Sequence, residues 1–323
     1  MPSDAEADTP LLTYNIHPTI LPRYTFLNSI FISAKVQLLK RTKGSSDWVA
    51  CQDSDNVAPA AYLADTLWEK IDIYLNDKRV TSDNTFRYLT AYMSKRLSFN
   101  KLANETFLST EVSYPDEGVD FDSTNSLVNR GFQARKLKFQ EANGKVPTVN
   151  LLGMISHDLS SLKSPIIENV AIMIKLRRNS NEKLIHAGKK NASDANWTIE
   201  DKEFRLKILH CALLVRRPLI SDRLFSKHQS LLARSPCIYP FTRNLLTWTQ
   251  CNAGVSTYFS NELFVGMPVI PSKIFCVMQS QDRTLGSYEN NFLVFEKPEH
   301  LVSIGFYVDS KLVSSSSIKL LVC

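Results

Sequence analysis

Apolar and polar residues alternate along several stretches of the chain, and a period of two marks a half-buried β-strand. In ISAKVQL, Ile32, Ala34, Val36 and Leu38 share one face, with Ser33, Lys35 and Gln37 on the other. In VAIMIKLRR, Val170, Ile172, Ile174 and Leu176 oppose Lys175 and Arg177. In IDIYLN, Ile71, Ile73 and Leu75 oppose Asp72, Tyr74 and Asn76. One polar face and one apolar face per strand predict antiparallel sheets over a shared core. EFRLKILHCALLVRR starts the same way, then turns apolar on both faces from Leu209 to Val215. That change predicts a strand near the contact between two domains, the alternative being a centrally buried strand. Helical spacing is rarer. AAYLADTLWEKI predicts a short helix, DNTFRYLTAYMSKRLSF a second with Phe86, Leu89, Tyr92 and Met93 on one face, and ISDRLFSKHQSLLAR a third.

One corner is written twice. IDIYLNDKRVTS (71–82) and IGFYVDSKLVSS (304–315) align at Ile71/Ile304, Tyr74/Tyr307, Lys78/Lys311, Val80/Val313 and Ser82/Ser315. Both read as strand, tight turn, strand, with Ile73 and Phe306 turned to a core and Tyr74 and Tyr307 to the other face. Repetition of one unit predicts two sandwiches in tandem. The 323 residues are also more than one core usually serves. The expected division is a disordered N-terminal tail over 1–22, a first sandwich with its linker over 23–201, and a second over 202–323. Within it, the polar residues 179–202 suit the linker, and VSYPDEGVDFDSTNSL, with Asp116, Glu117, Asp120 and Asp122, suits a solvated acidic loop that matches no calcium-loop spacing.

The composition is that of an ordinary globular protein, 44% hydrophobic and 22% charged, and no apolar run is long enough for a membrane span. The net charge of +6 is compatible with nucleic acid. The cations, however, fall in dispersed clusters such as Lys40-Arg41, Arg177-Arg178, Lys189-Lys190 and Arg216-Arg217. No basic stripe interleaved with aromatics is visible along the chain, which favours a solvated surface. The tryptophans, Trp48, Trp68, Trp197 and Trp248, are equally dispersed. Cys51, Cys211, Cys237, Cys251, Cys276 and Cys323 form no CxxC and have no histidine at a zinc-ligand spacing, so buried free thiols in a reducing compartment are expected. The sequons at Asn104, Asn191 and Asn196 read as chance matches.

Motifs for catalysis are absent from the sequence. It holds no P-loop, dinucleotide-type glycine pattern, HExxH or GxSxG, and its histidines at 17, 157, 186, 210, 228 and 300 are widely spaced. The expectation is a non-enzyme without catalytic, cofactor or metal residues, whose histidines are structural or superficial.

The order of segments resembles the double-jelly-roll major capsid protein of Polinton (Maverick) elements and the related adintoviruses. IFISAKVQLLKR, AAYLADTLWEKIDIYLNDKRVT, FRYLTAYMSKRLSF, NRGFQARKLKF, VNLLGMISHDLSSLKSPIIENVAIMIKLRR, LHCALLVRRPLISDRLFSKHQSLL, YPFTRNLLTWTQCNAG, LFVGMPVIPSKIFCVMQSQDRTLGSYENNFLVF and SIGFYVDSKLVSSS follow in that family's order across roughly 24–315. The family's turn commonly carries Asn-Gly, where this chain has Asn76-Asp77 and Asp309-Ser310. The resemblance implies a mainly β fold of two tandem antiparallel jelly-roll sandwiches with a few short helices. It implies a capsid subunit, self-association into homotrimers that form the pseudo-hexagonal units of an icosahedral shell, a minor (penton) capsid partner, and residence in the virion. It implies no small-molecule substrate and no membrane. About 120 residues follow the first corner to the end of its sandwich, and only residues 316–323 follow the second. The second jelly roll is therefore expected to lack its later strands. Alternatives are a basic nucleic-acid-binding β module, a carbohydrate-binding sandwich, or a decayed copy without function.

Overall fold

The computed structural model describes residues 9–82, 86–117, 121–125, 128–141, 144–188, 201–250 and 273–295, with short pieces at 303–305, 307–308, 311–312 and 318–319. In chain order the strands are β1 (Leu11–Ile16), β2 (Phe26–Thr42), β3 (Val49–Ala50), β4 (Val57–Pro59), β5 (Trp68–Leu75), β6 (Lys78–Arg79), β7 (Val149–Met154), β8 (Ile172–Arg178), β9 (Ile185–Ala187), β10 (Lys202–Arg216), β11 (Ser303–Ile304), β12 (Tyr307–Val308), β13 (Lys311–Leu312) and β14 (Ile318–Lys319). The helices are α1 (Leu63–Thr66), α2 (Arg87–Ser98), α3 (Lys101–Glu105), α4 (Arg130–Phe139), α5 (Asn181–Leu184), α6 (Asp222–Leu232) and α7 (Gln281–Leu285). The protein is mainly β, its sheets are antiparallel and its helices are short, as the alternation predicts.

Two sheets pack face to face. One has the order β1-β8-β5-β6; the other has the order β10-β2-β3, with β7 also paired to β2. The alternating residues meet between them. Ile30, Ile32, Ala34, Val36 and Leu38 of β2, Ile71 and Ile73 of β5, and Ile172, Ile174 and Leu176 of β8 form one buried cluster with Trp68, Leu151 and Phe139. Burying each large apolar side chain contributes about 1.5–3 kcal/mol, so this shared face dominates the stability of the sandwich. A second cluster joins Tyr62, Tyr88, Leu89 and Leu108 to Phe292 and Leu293.

β10 explains its own change of pattern. It pairs with β2 from Lys202 opposite Thr42 to Arg216 opposite Phe26, with a register shift between Ile208 and His210. A bulge inserts one residue and reverses which parity faces inward. Phe204, Leu206 and Ile208 are buried before it, and Cys211 after it, with Leu213 and Val215 packed against the same core. The doubly apolar letters at 209–215 thus belong to a bulged edge strand, not to a centrally buried one. Its outer backbone groups are capped by side chains. Tyr288 Oη donates to Phe204 O at 3.0 Å, Leu206 N donates to Asn181 Oδ1 at 3.2 Å, Arg178 Nη2 donates to Leu206 O, and Tyr14 Oη donates to Cys211 O at 2.9 Å. Such caps blunt an edge that would otherwise invite another strand.

Four expectations are corrected. Residues 9–22 are not a disordered tail: β1 pairs with β8 from Leu11 opposite Arg177 to Ile16 opposite Ile172. Thr19 N and Arg23 N each donate to the Glu168 carboxylate at 2.8 Å, which fixes the loop that follows β1. No boundary falls at 202, because β10 supplies the first sandwich with core residues. Residues 179–187 are not a linker: Leu184, Ile185, His186 and Ala187 are buried, and β9 pairs with β4. The rest of that segment, 189–200, lies outside the described residues. The acidic loop expected over 112–127 is not simply solvated, since Asp116 is buried against Arg135; Asp120 lies outside the described residues.

The repeated corner does recur. Tyr74 pairs with Arg79 and Leu75 with Lys78; Tyr307 pairs with Leu312 and Val308 with Lys311, the same register about a two-residue turn. Asn76 and Asp77 adopt φ of 47° and 65°, the left-handed pair a tight hairpin requires and that Asn and Asp tolerate best after glycine. Ile73 is buried and Tyr74 lies on the opposite face under the Lys175 ammonium, 5.0 Å from the ring centroid. Tyr307 is exposed. Phe306, and much of the segment expected to form the second sandwich, lie outside the described residues.

Candidate interaction surface

The outer face of the β10-β2-β7 sheet carries two chemistries in rows set by strand register. At one end Phe31 stands opposite both Leu214 and Met154, and Ser33 opposite Ala212 and Leu152. Phe31, Leu152 and Leu214 keep 38%, 43% and 49% of their surface exposed, so this end is an apolar patch open to contact. Ser29, Val215 and Arg216 complete a shallow depression with Phe31 and Leu214.

Further along, the same face turns basic. Lys35 lies opposite His210, Gln37 opposite Lys207, Leu39 opposite Arg205 and Arg41 opposite Glu203. The Trp48 ring sits 4.6 Å from the Arg41 guanidinium and 5.9 Å from that of Arg205. Arg41 Nε also donates to Glu203 Oε2 at 2.6 Å. The face therefore presents Lys35, Arg41, Arg205 and Lys207, with Arg41 and Arg205 set against the Trp48 ring and Glu203 the carboxylate among these outward strand positions. Sequence order hides this stripe because its members come from two strands far apart in the chain. The readable signal was the alternation itself, which puts Lys35 and Arg41, and Arg205 and Lys207, on the outward side of their strands.

Other polar residues are used inside the fold. Asp65, fully buried, accepts from Arg87 Nη1 at 2.7 Å and from Ser156 Oγ at 2.7 Å, and Lys95 Nζ lies 3.4 Å away. Lys95 also pairs with Glu111, whose other oxygen accepts from Met154 N at 3.1 Å. Burial alone would raise the Asp65 pKa, but the Arg87 and Lys95 charges and the Ser156 hydroxyl outweigh it and hold it at about 2. Glu111 moves the other way, because burial outweighs the single lysine. Two cations and two carboxylates thus tie α1 and α2 to β7 and to the short 3-10 turn at Phe107–Glu111.

A second network clamps 279–295 onto the sandwich. Asp116 accepts from Arg135 Nη2 at 2.6 Å, from Asn129 Nδ2 at 2.8 Å and from Asn291 Nδ2 at 2.8 Å. Asp122 binds both terminal nitrogens of Arg283, one at 2.6 Å. Asn129 also caps α4 by accepting from Phe132 N at 3.0 Å.

The histidines do not converge. His157 and His186 are buried, and burial lowers both pKa values, that of His157 to about 4. His228 contacts the Tyr24 hydroxyl at 2.6 Å, His17 and His210 are exposed, and His300 lies outside the described residues. The cysteine expectation is corrected in part. Cys51 and Cys211 are buried free thiols, pushed up to about 12 and about 11 first of all by burial, whereas Cys237 and Cys276 are exposed; Cys251 and Cys323 lie outside the described residues. Asn104 is buried and accepts from the Tyr62 hydroxyl at 2.8 Å, a poor acceptor position for a glycan. Asn191 and Asn196 lie outside the described residues. Among the described residues no three His, Cys, Asp or Glu side chains are placed to hold a metal ion, and no helix is long and apolar enough to cross a membrane.

No protein-family model matches the chain. No curated protein matches it either. Among solved structures, it is similar to the Sputnik virophage determined by cryo-EM, with 10% identity, a TM-score of 0.42, and coverage of 66% of this chain and 46% of that one. It is also similar to the mavirus major capsid protein seen by crystallography, with 11% identity, a TM-score of 0.34, and coverage of 68% and 45%. The chain spans less than half the length of either protein.

Proposed function

We propose that this chain is a structural subunit of a viral-type capsid and that its working surfaces are contacts with copies of itself. The observation that carries the reading is the colinear order of the sequence blocks from IFISAKVQLLKR to SIGFYVDSKLVSSS, which resembles that of the double-jelly-roll capsid family. The antiparallel sandwich and the two hairpins of equal register support it. So does the apolar end of the outer sheet face, where Phe31, Leu152 and Leu214 offer a neighbouring subunit something to cover. In this reading three subunits form a pseudo-hexagonal unit of an icosahedral shell, a separate minor protein closes the vertices, and the site of action is the virion. The role requires no catalysis, cofactor or metal.

The test is imaging of the purified full chain beside F31D/L214D. The positions are exposed, so the charges should leave the sandwich folded, as circular dichroism would check. Trimeric particles for the native chain and their loss in the variant are expected. Identical particles from both would remove this face from the interface, and absence of particles from the native chain would contradict the reading.

A further inference from the structure

We infer that His186 is an acid-sensitive latch, whose protonation releases residues 283–293 from the sandwich while the two sheets stay folded. The inference is independent of the assembly reading and rests on the junction between β9 and that segment. Polar contacts make most of the junction. Ala187 N donates to Tyr288 O at 2.7 Å, and Tyr288 Oη donates to Phe204 O at 3.0 Å. Asn291 donates through its backbone to Asp122 Oδ1 at 3.1 Å and through its side chain to Asp116 Oδ2 at 2.8 Å, and Arg283 pairs with Asp122. The apolar hold is Phe292 and Leu293, buried with Tyr62, Tyr88 and Leu108. β2, by comparison, gives Ile30, Ile32, Ala34, Val36 and Leu38 to the main core. A segment with so small an apolar anchor opens at lower cost than the sheets do.

His186 lies under this segment. It is buried on β9, opposite Ala58 of β4, with the Phe132 ring of α4 edge-on at 5.6 Å. Its Nε2 is 3.3 Å from Glu289 O. A carbonyl only accepts, so Nε2 carries the proton of the neutral ring. Nδ1 is then a bare nitrogen, buried and without a hydrogen-bond partner among the described residues. The charged groups around the ring are already engaged. Asp116 accepts from Arg135, Asn129 and Asn291, Asp122 binds Arg283, and the Glu289 side chain is exposed. A second proton would place an N–H on Nδ1 with no acceptor, and a positive charge in a buried space shared with Arg135. If Asp116 or Asp122 turned to meet that charge, it would let go of Asn291 or Arg283. Both responses weaken the hold on 283–293. Burial is the largest influence on the ring and keeps its pKa below the ordinary value; Asp116 and Asp122 oppose that shift and Arg135 adds to it.

A histidine whose closed-state pKa is depressed stabilises the closed state fully above its ordinary value of 6.5, and that contribution is lost as the pH falls below it. With the open ring titrating at 6.5 and the closed ring taking up no proton, the opening equilibrium rises by at most about 25-fold between about pH 7 and about pH 5. The experiment is hydrogen–deuterium exchange of the full chain at those two pH values, read by mass spectrometry and corrected for the pH dependence of intrinsic exchange. It compares peptides over 283–293 with peptides over β2 in the native chain, H186Q and H157L. The glutamine can still donate towards Glu289 O and does not titrate. Should H186Q leave the segment open at both pH values, H186F, equally untitratable and set beside Phe132, takes its place. In the native chain the 283–293 amides should be protected at about pH 7 and exchange up to about 25-fold faster at about pH 5, while β2 stays unexchanged over the same times. H157L should repeat that response, and the untitratable variant should not show it. The inference is overturned if the native segment is unprotected at about pH 7 or equally protected at both pH values. It is also overturned if the untitratable variant responds as the native chain does, if H157L abolishes the response, or if 283–293 and β2 open together.

Discussion

Replacing Leu206 by aspartate tests whether β10 belongs to the first sandwich. Leu206 is fully buried between Phe204 and Ile208 and packs in the cluster that holds Ile174 and Leu176 of the opposite sheet. Losing a buried leucine costs about 2–5 kcal/mol through transfer and cavity terms. The carboxylate adds the penalty of an unpartnered polar group, at least about 1–3 kcal/mol. The expected loss is therefore about 3–8 kcal/mol, against a typical total of about 5–15 kcal/mol. Leu214, on the same strand beyond the bulge, is half exposed, so Leu214→Asp should cost no more than about 0.5 kcal/mol. The assay is urea unfolding followed by tryptophan fluorescence and far-ultraviolet circular dichroism. A chain ended at Asp201 extends the test: without Phe204, Leu206 and Ile208 it forfeits about 5–9 kcal/mol of burial and exposes the β2 edge, so it should aggregate or unfold. If L206D and L214D cost the same, or if the chain ended at Asp201 unfolds cooperatively with native stability, β10 does not serve this core.

Two further perturbations probe the buried charges. Asp65→Asn leaves Lys95 with Glu111 and removes the carboxylate that Arg87 pairs with, and should cost about 3–5 kcal/mol; a loss below about 1 kcal/mol in urea unfolding would show that Asp65 is not needed to compensate Arg87. His157, neutral in the fold and surrounded by Arg87, Asp158 and Asp65, has its pKa lowered from 6.5 to about 4 by burial first and by Arg87 second. Its folded pKa lies below its unfolded one, so its contribution is complete above pH 6.5 and is lost progressively as pH falls towards about 4, by up to about 3 kcal/mol. Unfolding at neutral pH and near pH 4.5 should show that loss in the native chain and not in His157→Leu, and an equal loss in both would assign the acid sensitivity elsewhere.

What the sequence made legible was periodicity. Strands at Ile32–Leu38, Ile71–Leu75 and Val170–Leu176 and helices near Leu63 and Phe86 follow from spacing alone, because one face of each meets a core; the helix at Asp222–Leu232 also follows from spacing, although it buries none of its residues. The β10 boundary was not legible, since a bulge at 209 turns a regular inward face into two apolar ones and the polar letters before it resemble a linker. Nor were the buried ions. Asp65, Arg87, Lys95, Asp116 and Arg135 carry letters that ordinarily mean solvent, and only their three-dimensional partners make them interior residues. The outward row of cations was not legible, because nothing along the chain says that β2 and β10 are neighbours.

Sedimentation equilibrium of the purified full chain over a wide range of protein concentration tests the capsid-subunit reading most directly. The account predicts a mass that rises with concentration to that of three chains, or larger closed assemblies built from such units. A single monomer mass at every concentration would contradict it.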